Sequence, residues 1–154
     1  MITKATRYHW SALNTLQKGM YGEYFAKMEF AMFGFLVFSS EVDDRGIDFV
    51  ARSSDGKHFD IQVKTITGTN YTFIKESKFD EALVVCLIVL NERVPPSAYL
   101  FVRDDWNKSN NSELLKLKKF DNASEAEYGV YLAQKRAALL STFEISSRIH
   151  LLSA

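Results

Sequence analysis

Ile47-Asp48-Phe49-Val50-Ala51 and Phe59-Asp60-Ile61-Gln62-Val63-Lys64-Thr65-Ile66, separated by Ser53-Ser54-Asp55-Gly56-Lys57, decide how this chain folds. The second run alternates: Phe59, Ile61 and Val63 fall on one face of a strand, and Asp60, Gln62 and Lys64 on the other. The intervening segment is a turn signal. A three-residue loop Ser54-Asp55-Gly56, with Gly56 at positive φ, is a common hairpin form. That loop sets Asp48 opposite Gln62, and residues directly opposite on antiparallel strands point to the same face. Asp48, Gln62 and Lys64 then cluster. A two-residue Asp55-Gly56 turn would slip the register by one and send Asp48 to the other face.

Working outward, the period changes to that of a helix over about 12–35. Leu13, Leu16, Met20, Tyr24, Met28, Ala31 and Phe35 recur at steps of three and four, and the spacing predicts that this stripe faces the core. Glu23 sits beside the stripe, on the edge shared with Met20 and Lys27, where it can look into the fold. Gly34 loosens the helix end. Leu36-Val37-Phe38 reads as a short strand. Residues 71–80 read as a strand end or short helix. Ala82 to Leu90 is a continuous apolar run suited to a strand buried on both faces. Ser97 to Val102 is a further strand, residues 104–113 a polar loop, and residues 115–120 and 128–132 short strands. Residues 133–143 form a last helix with Ala137, Leu140 and Phe143 inward. Helix, three strands, connection, more strands, helix: this order predicts an α/β or α+β mixed sheet with helical cover.

Composition sets the outer bounds. The 154 residues are 47 % apolar and 25 % charged, the size and make-up of one domain over 1–154 with a core of its own. Nineteen basic and nineteen acidic residues cancel, which speaks against a non-specific DNA coat protein but leaves room for a local basic patch. The single cysteine, Cys86, lies within the apolar run and reads as core packing; no disulfide framework is possible. No apolar run follows Met1-Ile2-Thr3-Lys4, so no signal peptide is expected, and no run is long enough to span a bilayer. A cytoplasmic protein with no membrane association is the expectation.

Gly46-Ile47-Asp48, followed by Ile61-Gln62-Val63-Lys64, resembles the PD-(D/E)XK nuclease superfamily, which includes restriction endonucleases and Holliday-junction resolvases. The resemblance covers roughly 22–89. It implies a restriction endonuclease-like core: an N-terminal helix, a three-stranded antiparallel start, then further strands and flanking helices. It also implies a site made of Glu23 on the helix, Asp48 on the second strand, and Gln62 and Lys64 on the third. Two departures stand out: no proline precedes Asp48, and Gln62 replaces the usual carboxylate, removing one negative charge.

The chemistry can be argued beside the resemblance. Phosphodiester hydrolysis needs a hard divalent cation, Mg²⁺ or Mn²⁺, held by oxygen ligands. Asp48 offers a carboxylate, Gln62 a side-chain carbonyl and Val63 a backbone carbonyl. Glu23 can hold a water or a second ion, and Lys64 can orient the attacking water and neutralise charge on the phosphate. Taken singly, Asp48 is a strand-edge residue, Gln62 and Lys64 a solvated face, and Glu23 the i,i+4 partner of Lys27. Their joint arrangement is what points to a DNA endonuclease. The alternatives are a binding module with the same fold and a degraded site, in a defence or mobile-element system, or a nuclease acting on RNA. The resemblance extends to a homodimer, since small members pair to cut two strands, but no residue pattern marks a dimer surface.

Lys75 and Lys78 follow the hairpin and are the expected phosphate contacts. Lys116, Lys118 and Lys119, and Lys135 and Arg136, are further basic clusters that read first as solvated faces. Asp43 and Asp44 read as a turn, and Asp60 as a strand-end residue near the site. His9, His58 and His150 have no zinc-ligand spacing. No phosphate-binding glycine loop and no Ser/His/Asp arrangement is present. Most of the 12 Phe and 7 Tyr fall on apolar periodic positions, so core packing outweighs base stacking.

Overall fold

The computed structural model describes residues 6–39, 46–80, 82–107, 113–132 and 137–153. The expectations for Asp43, Asp44, Lys135 and Arg136 fall outside those residues.

A 3₁₀ turn over Trp10–Ala12 precedes helix α1, Thr15–Met32. Asn14 starts α1 through a capping box: its Oδ1 accepts from the Gln17 amide at 2.8 Å, and Gln17 Oε1 accepts from the Asn14 amide at 2.9 Å. Gly34, at φ +94°, ends it, and the Phe35 amide reaches back to the Phe30 carbonyl. Strands β1 (Leu36–Ser39), β2 (Phe49–Arg52) and β3 (His58–Thr67) follow as the predicted antiparallel start. Then come β4 (Thr72–Lys75), a 3₁₀ turn (Glu76–Lys78), β5 (Leu83–Leu90) and β6 (Ser97–Phe101). After a 3₁₀ segment (Arg103–Asn107), β7 (Leu115–Lys118) and β8 (Glu127–Val130), the chain closes with α2 (Ala137–Leu140), α3 (Ile145–Arg148) and short 3₁₀ turns.

The central sheet has the order β1-β2-β3-β5-β6; only the β3–β5 pairing is parallel. A second antiparallel sheet, β4-β8-β7, covers one of its faces. The predicted run through Leu90 is the hub, because every residue of β5 is buried. Its alternation serves two cores. Leu83, Val85, Leu87 and Val89 pack towards the small sheet, Phe79, Phe101 and Trp106. Val84, Cys86, Ile88 and Leu90 pack towards α1, α3 and Phe49. Cys86 is a buried thiol, as expected, and burial pushes its pKa up. At the far edge of the sheet, beyond β6, an isolated bridge joins Tyr99 to Glu144.

Three expectations need correction. The apolar stripe of α1 faces solvent: Leu16, Met20, Tyr24 and Met28 are all exposed. Gly22, Ala26 and Phe30 are buried instead. A Cβ on Gly22 would fall 1.8 Å from Thr65 Oγ1, so the helix backbone lies directly on β3. Small residues permit that approach, and they carry little hydrophobic signal. The segment read as a polar loop holds Asp105 and Trp106 in the core. Asp105, 1 % exposed, accepts from the Val102 amide at 2.7 Å and from Arg148 Nη2 at 2.5 Å. The last helix, expected as one run to Phe143, is helical over Ala137–Leu140 and then a 3₁₀ turn, with Leu140 and Phe143 buried.

Candidate functional site

The hairpin joining β2 and β3 has the odd-length loop. Arg52 pairs with His58 and Phe49 with Ile61, where the ladder ends with Asp48 beside its last pair. Gly56, at φ +87°, takes the left-handed position, and its amide donates to the Ser53 carbonyl. Ser53, buried, holds the loop from inside by accepting from the Lys57 amide at 3.1 Å.

β2 begins at Phe49, so Asp48 lies just outside it. The Asp48 amide donates to the Ile61 carbonyl at 2.8 Å, while the Val63 amide donates to Asp48 Oδ2 at 2.7 Å. The side chain thus takes over from the backbone ladder where β2 separates from β3, which fixes the carboxylate against the strand. Along β3, Ile61 belongs to the core under α1 and Ile66 to the core under the small sheet. Strand alternation therefore puts Gln62 and Lys64 on the small-sheet side.

Gln62 is 9 % exposed, and its Oε1 is buried with no hydrogen-bond partner among the described residues. A buried carbonyl left unpaired costs free energy and calls for an explanation. Its amide end lies against Gly46, at φ +75°, where a Cβ would come within 2.9 Å of Nε2. Gly46 is the residue whose part here the sequence reading missed. The visible signal was a glycine two residues before the strand aspartate, and its purpose, close approach to Gln62, needs the three-dimensional register.

Lys64 is partly buried, and its pKa is lowered by burial; the Asp48 charge works in the opposite direction and Lys78 in the same one. Asp48, Lys64 and Lys78 therefore share one electrostatic neighbourhood. Lys78 and Lys75 are both exposed. They act on Glu125, whose carboxyl is held below its usual range by hydrogen bonds from Ser77 first and by the two lysines next. Glu125 was not anticipated, since it lies 48 positions from Ser77 in sequence.

Glu23 stands apart. Its carboxylate is 3.1 Å from Lys27 Nζ, and Lys27 in turn lies over the Phe49 ring, 6.0 Å from its centroid. The structure thus brings Asp48, Gln62 and Lys64 together and pairs Glu23 with Lys27 at the neighbouring helix. Lys116 and Lys118 lie on β7, over the rings of Tyr131 and Phe120 at 5.2 and 4.7 Å. Among the described residues no three His, Cys, Asp or Glu side chains group together as a metal site would require. No helix among them is long and apolar enough to cross a membrane.

No protein-family profile matches this sequence, and no curated protein matches it. Among solved structures, the chain is similar to a bacterial homing endonuclease, I-Ssp6803I. The TM-score is 0.54 at 14 % identity, over 91 % of this chain and 95 % of that one. At that identity the likeness is one of fold, and the conclusion it carries is that this chain has a nuclease-like mixed α/β fold.

Proposed function

We propose that the chain is a divalent-metal-dependent endonuclease of the PD-(D/E)XK type that hydrolyses phosphodiester bonds in DNA. The observation that carries this reading is the Gln62 carbonyl, buried without a hydrogen-bond partner among the described residues, on the sheet face of Lys64 and next to the Val63 amide that holds Asp48. A hard cation satisfies an unpaired carbonyl beside a carboxylate, and the donors present are all oxygen. Asp48, Gln62 Oε1 and the Val63 carbonyl would hold Mg²⁺ or Mn²⁺, with Glu23 the helix acid that the resemblance adds. When bound, the ion supplies Lewis acidity to the scissile phosphate and lowers the pKa of water.

The chain's own residues do the rest. Asp48, fixed by the Val63 amide, keeps its charge aimed at one point without reorganising. Lys64, protonated, orients the attacking water and offsets charge developing on the phosphate. Lys75, at the end of β4, and Lys78, in the turn beyond it, bind flanking phosphates, and Lys116 and Lys118 extend the basic surface on β7. The nuclease-like fold of the homing endonuclease neighbour supports DNA as the substrate class.

A second reading is a binding module of the same fold. It is favoured by the presence of Gln62 where a second carboxylate would strengthen the ion's hold, and by the engagement of Glu23 with Lys27.

The deciding experiment is cleavage of plasmid, linear, single-stranded and branched DNA with Mg²⁺, Mn²⁺ or EDTA, with matched RNA alongside. Asp48→Asn and Lys64→Met are run in parallel after a check of folding. Metal-dependent DNA cutting by the parent, lost in both folded variants, is the expected result. Cutting of RNA alone reassigns the substrate. No cutting and no Mn²⁺ binding leaves the binding module.

A further inference from the structure

The small sheet sorts its side chains by row. Pairing sets Ile74 and Leu117 on either side of Tyr128, and Thr72 and Leu115 on either side of Val130; Ile74, Leu115, Tyr128 and Val130 lie in the core. The alternate rows, Phe73-Gly129-Lys116 and Lys75-Glu127-Lys118, therefore face away from it. Tyr71, just before β4, extends this outward set. A Cβ on Gly129 would fall 2.5 Å from the Tyr71 hydroxyl and 2.8 Å from a ring carbon, so Tyr71 lies directly over the backbone of the middle strand. Its hydroxyl donates to Glu127 Oε1 at 2.5 Å, which pins the ring. Phe73 stacks beside it, centroids 5.8 Å apart and planes 20° apart, with Tyr131 at 5.0 Å and Phe120 edge-on at 6.5 Å. Although they touch one another, Tyr71, Phe73 and Phe120 are 38–40 % exposed.

We infer that this outward face is a stacking platform for the unpaired bases of single-stranded DNA. Three observations select that occupant. First, the rings are open and held in place, and an aromatic ring takes the π-face of any base. A base inside a duplex offers its edges and not its faces, so a paired partner cannot use them. Second, the charge is complementary. The two outward rows carry Lys75, Lys116 and Lys118 against one acid, in a chain whose formal net charge is zero, and that acid, Glu127, already accepts from Tyr71. An apolar protein surface docked here would have to strip water from those ammonium groups. Third, cation and ring are paired at each step. Lys116 and Lys118, about 6.8 Å apart along one face of β7, stand over Tyr131 and Phe120 at 5.2 and 4.7 Å. A base stacked on such a ring leaves its phosphate beside an ammonium. The face is continuous with the basic residues already described, since Lys75 closes β4 and Lys78 lies in the turn beyond it, where it acts on Lys64. The inference rests on the proposed nuclease function and names its substrate class, DNA with an unpaired segment beside the point of cutting.

The test is fluorescence anisotropy of a labelled oligothymidine of about 20 nucleotides with the full chain in EDTA, so that neither metal nor cutting enters. A labelled DNA duplex and an oligouridine of the same length run beside it. The parent is expected to bind oligothymidine more tightly than either. Phe73→Ala and Phe120→Ala remove exposed rings, so circular dichroism is expected to be unchanged, while binding weakens about 5- to 150-fold, the loss of one stacked base. Phe73→Trp keeps a ring and should keep the affinity. Lys118→Gln should lower the slope of log affinity against log salt by about 0.7. Tyr24→Ala, which removes an exposed ring on α1, should bind as the parent does. No binding of oligothymidine overturns the inference, as does equal or tighter binding of the duplex or of oligouridine, or parental affinity in both folded alanine variants. Cleavage with Mg²⁺ or Mn²⁺ separates the two readings. Platform binding in EDTA without any cutting refutes the nuclease and leaves the platform, whereas cutting without platform binding refutes the platform alone.

Discussion

Replacing Gln62 by Met tests whether the buried carbonyl is kept unsatisfied for a cation. Gln62 Oε1 has no partner among the described residues of the folded chain, whereas in the unfolded chain water satisfies it. That imbalance costs the fold about 1–3 kcal/mol. Methionine has similar length and adapts to irregular space, so it fills the room beside Gly46 and the strand without the penalty. In EDTA, Gln62→Met should therefore be more stable than the parent by about 1 kcal/mol. In a domain of this size that is a rise in Tm of about 2–4 °C. Metal should reverse the order. A cation that binds only the folded parent at a hundred times its Kd adds about 2.7 kcal/mol, and the variant, lacking a ligand, gains far less. Urea unfolding followed by circular dichroism, in EDTA and in Mn²⁺, reads both arms, and the two stability curves should cross. A variant less stable than the parent in EDTA would mean the carbonyl is satisfied in the fold, and an equal response to Mn²⁺ in both proteins would remove Gln62 from the metal site; either refutes the reasoning.

Asp48→Ala leaves the Val63 amide without its acceptor, so it should lower stability by about 1.5–3 kcal/mol by urea titration as well as abolish cutting, whereas Asp48→Asn keeps an acceptor and should lose cutting with most stability retained. Lys64, its pKa lowered by burial, should lose its proton below the usual lysine range, so the alkaline limb of the cleavage-rate profile should begin earlier than an exposed lysine would give. The same shift means that between the folded and unfolded pKa values the unfolded chain holds more protons, so stability should rise with pH in that window, and Lys64→Met should flatten the rise. Arg148→Met removes the opposite charge from the buried Asp105 carboxylate and should cost about 3–5 kcal/mol by chemical denaturation, well beyond the change from any exposed arginine such as Arg93.

The trio at the hairpin was legible because local rules determine it. Gly56 selects the loop length, loop length selects the register, and the register ends with Phe49 against Ile61, which brings the Asp48 carboxylate to the Val63 amide beside Gln62. The orientation of α1 was not legible. Its two faces are similarly apolar, one lined by Leu16, Met20, Tyr24 and Met28 and the other by Gly22, Ala26 and Phe30, so periodicity located the helix without deciding which side meets the sheet. The decision rests on Gly22 against Thr65, a contact between positions 43 residues apart. The same distance hid the burial of Asp105, which depends on Arg148. The orphan state of Gln62 was also beyond local reading, since alternation gives a face but not the partners on it.

The two margins of the central sheet are unequally protected. Beyond β6, the bridge between Tyr99 and Glu144 lets the C-terminal segment shield that side. β1 is the terminal strand on the other margin, and Leu36 and Phe38 project from it largely exposed. Among the described residues no strand pairs with the outer edge of β1, and an unpaired edge with apolar side chains is a template on which further strands add, so any tendency of this protein to form cross-β aggregates should nucleate at β1. Its length of four residues restrains that hazard by limiting how many ladder bonds an incoming strand can make.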